Sequence, residues 1–192
     1  MTRVRDHRIR IIGGDWRGRR LTVTDSPGLR PTPDRVRETL FNWLMPVIAG
    51  ARCLDAFAGT GILGLEALSR GAASCLFLEN DRRLTRDLAD TLARFGATGG
   101  DIRCADALHF LRGTPAARFD IVFLDPPFAA GLWEPSLAAL APHLAPDHRV
   151  YLEYPAGEPP LPAGWSALRE KRAGEVGYCL ARRAPATEDR RQ

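Results

Sequence analysis

From position 52 onward the chain repeats one pattern, in which short unbroken apolar runs at residues 53–57, 74–78, 102–105 and 121–124 alternate with helical periodicity at 63–70, 83–95 and 107–111. Strands that are apolar throughout are buried on both faces, and strands separated by helices pair in parallel. The pattern therefore constrains the chain to an α/β fold with a doubly wound, mostly parallel sheet. Residues 133–144 read as the next helix, 150–154 as a fifth strand, and 165–169 with 176–181 as a closing antiparallel pair around Ala173 and Gly174.

Upstream, residues 8–12 and 19–23 read as two short strands around a turn rich in Gly, Trp and Arg, a small basic hairpin. The run Leu29, Arg30, Pro31, Thr32, Pro33, Asp34 then opens a helix. Thr32 or Asp34 is its expected cap, Val36, Leu40, Phe41 and Leu44 share one face, and Pro46 marks its end. With 192 residues, 45% of them hydrophobic, one domain with a sizeable core suffices. The expected division is a basic extension over 1–29, the α/β domain over 30–183 and a polar, disordered tail over 184–192. No apolar run approaches the ~20 residues of a membrane span, and the Arg-rich start lacks a leader's hydrophobic region, so a cytoplasmic chain is expected. No exposed heptad asks for a partner, and a monomer is expected.

Charge is informative by position. The first 37 residues carry ten arginines against four acids, whereas the remainder is slightly acidic. Arg outnumbers Lys 26 to 1, which base composition explains, but base composition does not explain the asymmetry. Guanidinium groups gathered on one segment suit phosphate contact. Cys53, Cys75, Cys104 and Cys179 are scattered singly and read as reduced core thiols; His7, His109, His143 and His148 show no ligand spacing, so no metal is implied.

Two motifs carry chemistry. Gly59, Gly61 and Gly64 satisfy G-x-G-x-x-G between a strand and a helix, with Glu79 twenty residues after Gly59. The glycines alone also fit a dinucleotide. Asp55 argues against one, because its carboxylate would repel a pyrophosphate, whereas it suits the ammonium of S-adenosylmethionine. Glu79 can hold two ribose hydroxyls, and Asp106 can accept from an adenine amine or cap the helix that follows. The second motif is Asp125, Pro126, Pro127 and Phe128 at a strand end. An exocyclic amine on a base is a weak nucleophile, its lone pair delocalised into the ring. If Asp125 and the Pro126 carbonyl accept its two N–H groups, the lone pair is drawn out of conjugation and aimed, while Phe128 stacks on the base. Asp55 and Asp125 would open on the same carboxyl edge, putting methyl donor and acceptor in one crevice.

These residues carry a resemblance. The blocks R-I-I-G-G-D-W-R-G-R-R-L, R-P-T-P-D-R-V-R-E-T-L-F-N-W-L, F-A-G-T-G-I-L-G-L-E-A-L-S-R-G-A and F-L-E-N-D, with D-P-P-F, make the chain similar, over residues 8–182, to the bacterial 16S rRNA guanine-N2 methyltransferases specific for guanine 966. The resemblance implies a seven-stranded class I methyltransferase (Rossmann-like) fold, S-adenosylmethionine as donor, no metal, and guanine N2 in 16S rRNA of the small subunit as acceptor. It implies that Thr32, Asp55, Phe57, Gly59, Gly61, Glu79 and Asp106 hold the cofactor, that Asp125, Pro126 and Phe128 handle the base, and that Arg10, Arg17, Arg19 and Arg20 contact rRNA. Three rivals stand beside it: an amine methyltransferase acting on adenine N6 or on protein glutamine N5, a nicotinamide-dependent oxidoreductase, and a non-catalytic RNA-binding module.

Overall fold

The computed structural model describes residues 7–23, 32–115 and 117–184. Leu29, Arg30, Pro31 and the tail from 185 lie outside the described residues. A two-stranded antiparallel hairpin, β1 (His7–Arg10) and β2 (Arg20–Val23), precedes helix α1 (Asp34–Leu44). The alternating series follows: β3 (Arg52–Asp55), α2 (Ile62–Ser69), β4 (Ser74–Glu79), α3 (Arg82–Phe95), β5 (Gly100–Cys104), α4 (Ala107–Leu111), β6 (Phe119–Leu124), α5 (Trp133–Leu140), β7 (Leu144–Pro155), β8 (Trp165–Ala173) and β9 (Val176–Arg183). The expected α/β architecture is what the chain forms.

Seven strands make one sheet in the order β5-β4-β3-β6-β7-β9-β8. The first five pair in parallel, and β9 runs antiparallel to both β7 and β8. Chain order reverses between β3 and β6, so a crevice opens beyond their carboxyl ends. Ile121, Val122, Phe123 and Leu124 of the central β6 are fully buried, as an all-apolar run requires. Edge strand β8 is instead exposed along most of its length and carries Arg169, Glu170, Lys171 and Arg172, charges that discourage edge-to-edge pairing.

Each face of the sheet packs its own core. One gathers Cys53, Ile121, Phe123 and Tyr151 under α1, α2 and α3, and Ile9, Ile11 and Leu21 of the hairpin join it. The other gathers Leu54, Val122, Leu124 and Leu152 under α4 and α5. Helix α2 lies so close to the sheet that a Cβ on Gly64 would stand 2.2 Å from the Phe77 ring and 2.6 Å from Cys75 Sγ. The third glycine of the motif is thus a packing requirement.

Two details differ from expectation. Neither Thr32 nor Asp34 caps α1: Pro33 occupies that position and no side chain bonds the first amides. Two guanidinium groups compete for Asp34, with Arg37 Nη2 at 2.6 Å and Arg10 Nε at 3.0 Å, and an ion pair outweighs an amide bond there. Cys53, Cys75 and Cys179 are buried free thiols, but Cys104, on edge strand β5, is exposed. The histidines agree with the absence of ligand spacing, since His143 and His148 are buried in hydrogen bonds of their own: His143 Nε2 lies 3.0 Å from the Leu111 carbonyl, and His148 bridges the Ala145 carbonyl (2.7 Å) and the Arg183 amide (3.0 Å). Among the described residues no helix is long and apolar enough to cross a membrane.

Candidate functional site

Three acids end three neighbouring strands on one face of the sheet. Asp55 closes β3 opposite Phe123 of β6, and Asp125 follows β6 directly. Leu124 stands opposite Leu152 of β7, so the next position of β7, Glu153, is beside Asp125. Alternation along a strand puts Asp55, Asp125, Tyr151 and Glu153 on the side that α1 covers. Asp55 is 3% and Glu153 5% exposed. Burial pushes the Asp55 carboxyl up to about 7; the Gly64 amide, donating to Oδ2 at 3.0 Å, opposes this and the Glu79 charge adds to it. Asp125 is held well above the usual carboxylate range by burial first, then by Glu153 and Asp55.

Because Asp55 binds its proton more tightly folded than unfolded, it contributes stability in full below pH ~4, and that contribution is lost as pH rises through about 7. The loss is at most ~4 kcal/mol, at ~1.4 kcal/mol for each unit of displacement. Asp55→Asn keeps an acceptor for Gly64 and cannot ionise. Thermal unfolding of the ligand-free protein from pH 5 to 8.5 should show the variant gaining on the wild type toward alkaline pH; a constant difference would remove the charge effect.

The glycine turn spends its amides internally. Gly59 N–H donates to Glu79 Oε2 at 2.8 Å, Gly61 N–H to the Ala58 carbonyl at 2.6 Å, and Gly64 N–H to Asp55. Amides engaged in this way, beside two carboxylates, do not make a pyrophosphate cradle, and the acidic surroundings fit a ligand bearing an ammonium, a sulfonium and hydroxyls. Gly61 enters α2 with φ 73, a left-handed conformation that glycine adopts without strain. Glu79 accepts the Asp81 amide through Oε1 at 2.8 Å, so each oxygen keeps one lone pair for a ribose hydroxyl. Asp106 caps α4, its Oδ1 accepting the His109 amide at 2.7 Å, and Oδ2 is not part of that bond. Phe57 is half-buried at the same edge; Thr32 is buried and gives its carbonyl to Arg37 Nε at 3.2 Å. Among the described residues no group of three or more His, Cys, Asp or Glu is placed to hold a metal.

Beyond Asp125, Pro126 is buried and Phe128 is exposed at the start of a short 3-10 turn, Phe128–Ala130. The Phe128 ring stands 5.6 Å from Trp133, whose indole N–H donates to the Glu153 carbonyl at 2.7 Å. The aromatic face is thereby tied back to the strand beside Asp125. Sequence reasoning does not pick out Glu153 and Trp133 as site residues, although an acid inside the apolar run Val150, Tyr151, Leu152, Glu153, Tyr154 is the available signal.

The four arginines expected to contact rRNA share the hairpin, where Arg10 stands opposite Arg20. Arg37, early in α1, faces Glu66 in the middle of α2, while Arg70, just after α2, lies over Phe41 farther along α1, so the two helices run together from the carboxyl edge to the amino edge. Arg10 is paired with Asp34 at the start of α1. The turn between β1 and β2 is bonded to the last residue of α2, with Asp15 N–H on the Ser69 carbonyl (2.8 Å) and Trp16 N–H on Ser69 Oγ (2.9 Å). Arg19 Nη1 donates to the carbonyl of Phe95, the end of α3, at 3.3 Å. Arg17, Arg19 and Arg20 are exposed.

Residues 9–182 match the family described as Conserved hypothetical protein 95. The chain is 52% identical over 181 residues, 91% of its own length and 90% of the relative's, to the ribosomal RNA small subunit methyltransferase D of Escherichia coli K12. It is 44% identical over 178 residues to the protein of that name from Haemophilus influenzae, covering 90% of this chain and 92% of the relative. A solved Escherichia coli protein described as a candidate methyltransferase superimposes with a TM-score of 0.85 at 47% identity, covering 93% of this chain and 99% of that one.

Proposed function

The chain belongs to the family described as Conserved hypothetical protein 95, and from that membership, with the acid-lined crevice, we propose that it transfers a methyl group from S-adenosylmethionine to the exocyclic N2 amine of a guanine in 16S rRNA of the small subunit. The observation that carries this reading is the adjacency of Asp55 and Asp125 across the β3/β6 reversal, which gives a cation-holding acid and an amine-orienting acid one shared crevice. The small-subunit rRNA methyltransferases among the relatives support the acceptor class.

When bound, the cofactor supplies an electrophilic methyl group on a sulfonium. Asp55 would hold its ammonium, Glu79 its ribose hydroxyls and Asp106 Oδ2 its adenine amine, with Gly59 and Gly61 letting the backbone approach and Phe57 and Thr32 flanking it. Asp125 and the Pro126 carbonyl would accept the two N–H groups of guanine N2 and aim its lone pair, and Phe128 would stack on the flipped base. Proline fixes the carbonyl's direction in advance, so little orientation remains to be lost at the transition state. Labelled methyl transfer to small subunits lacking the modification tests the whole reading. N2-methylguanosine at one 16S site is the expected product; label on adenine N6 or on protein would move the acceptor class, and none on subunits or free 16S RNA despite cofactor binding would overturn the reading.

Arg10, Arg17, Arg19 and Arg20, all on the hairpin and its turn, would contact rRNA phosphates. Replacing Arg17, Arg19 and Arg20 with Ala should weaken RNA binding and flatten its salt dependence, lowering the slope by about two, at ~0.7–0.9 for each phosphate no longer neutralised. The turnover of bound RNA should hold. An unchanged salt slope would remove the hairpin turn from the interface.

A further inference from the structure

Tyr151, Glu153 and Trp133 form a built support around the amine-orienting acid. Tyr151, fully buried, donates its hydroxyl to Glu153 Oε1 at 2.8 Å, and the Trp133 indole fixes the Glu153 backbone. The Leu124–Leu152 register carries this side chain to the position beside Asp125. Building such an arrangement costs free energy, because two carboxyl groups side by side out of water repel when both are charged. We propose that Glu153 is a positioning residue for methyl transfer, holding a carboxylate beside Asp125 so that Asp125 takes the proton released from the acceptor amine.

This rests on the amine-methyltransferase reading and deepens it. As the N–C bond forms, the methyl–sulfur bond breaks and its electron pair stays on sulfur, leaving the acceptor nitrogen positively charged with two hydrogens. One N–H bond then breaks, its electron pair returns to nitrogen, and the proton goes to an Asp125 oxygen, which becomes a neutral acid until solvent removes the proton. An isolated carboxylate is a weak base for this. A second negative charge alongside strengthens it, and the Tyr151 hydroxyl keeps that charge on Glu153 by favouring its ionised form. Among the described residues, the groups that face Asp125 from the elements packed on this side are Asp55 of β3 and Tyr151 and Glu153 of β7, with Tyr178 of β9 behind them against Tyr151 and in register with Glu153. The raised proton affinity of Asp125, to which Glu153 contributes after burial, agrees with this placement.

The test is the pH profile of the single-turnover rate on small subunits for wild type, Glu153→Gln and Tyr151→Phe, with cofactor and RNA affinities measured alongside. Glu153→Gln should move the acidic midpoint of the rate down by about one pH unit, the size expected for one neighbouring charge, and lower the plateau rate. Affinities should change little. Tyr151→Phe, which removes one oxygen from a buried ring, should move the midpoint in the same direction by less, and it carries the test if Glu153→Gln does not fold. An unchanged midpoint in folded variants that still bind cofactor overturns the role of Glu153. A wild-type protein without transfer to RNA would instead overturn the underlying reading.

Discussion

Asp125→Ala is expected to lower methyl transfer by about a thousandfold, the order that general base catalysis and a preorganised polar contact contribute at other sites. The loss combines three effects: the amine keeps its conjugation, one N–H acceptor that aims it is gone, and the released proton has no carboxylate to receive it. Because Asp125 follows β6 whereas Asp55 closes β3, cofactor affinity should stay within about threefold. Stability should not fall much either, since the deleted group is a carboxyl whose charged form burial disfavours. Single-turnover rates at saturating RNA, with cofactor affinity by calorimetry, check both halves. Transfer at the wild-type rate would end the amine-orienting role, and a parallel loss of cofactor binding would make Asp125 part of the cofactor site instead.

The largest effect on stability should come from Glu66→Ala. Glu66 is fully buried in α2, and its Oε1 accepts the Ile12 amide at 2.7 Å and the Gly13 amide at 2.9 Å. Arg70 Nη2 lies 3.5 Å and Arg37 Nη1 3.9 Å from its carboxylate. Arg37 is itself fully buried, its charge disfavoured by desolvation and held by Glu66 and Asp34. Removing Glu66 leaves two amides without their acceptor and takes one of the two acids that hold the buried Arg37, Asp34 remaining at 2.6 Å, so the expected loss is ~3–5 kcal/mol, at ~1–3 kcal/mol for each buried group that loses its partner. In a chain of this size that lowers Tm by roughly 10 °C, at ~2–4 °C for each kcal/mol. Glu66→Gln should cost less, because an amide oxygen still serves one N–H. A loss under ~1 kcal/mol for Glu66→Ala, the range of exposed ion pairs, would mean that water reaches the site and that the hairpin is not anchored there.

Glu66 also marks where sequence reading stops. In Ile62–Ser69 it is the lone acid of an apolar helix, and a solvent-facing position is the natural expectation. It is buried because the hairpin and α1 cover the outer side of α2, and only the assembled fold shows that cover. The expected α1 cap is absent for a related reason: Arg37 one turn on and Arg10 from the hairpin claim the Asp34 carboxylate. Cys104 reads as a core thiol from its strand, yet β5 ends the sheet and its side chain faces outward.

Strand and helix order, the parallel sheet, the glycine turn and the acids closing β3, β4 and β6 were legible because each follows from local chemistry: apolar periodicity, glycine's backbone freedom and a polar residue ending a buried run. That Asp55 and Asp125 open on one carboxyl edge followed from the same alternation, whereas the sheet order that makes β3 and β6 neighbours came from the fold. What the chain could not display in one dimension was pairing between distant segments. The β6/β7 register set Glu153 beside Asp125, and the docking of residues 12–16 on α2 buried Glu66 and Ser69. Those placements depend on which surfaces meet after collapse, and no local signal encodes them.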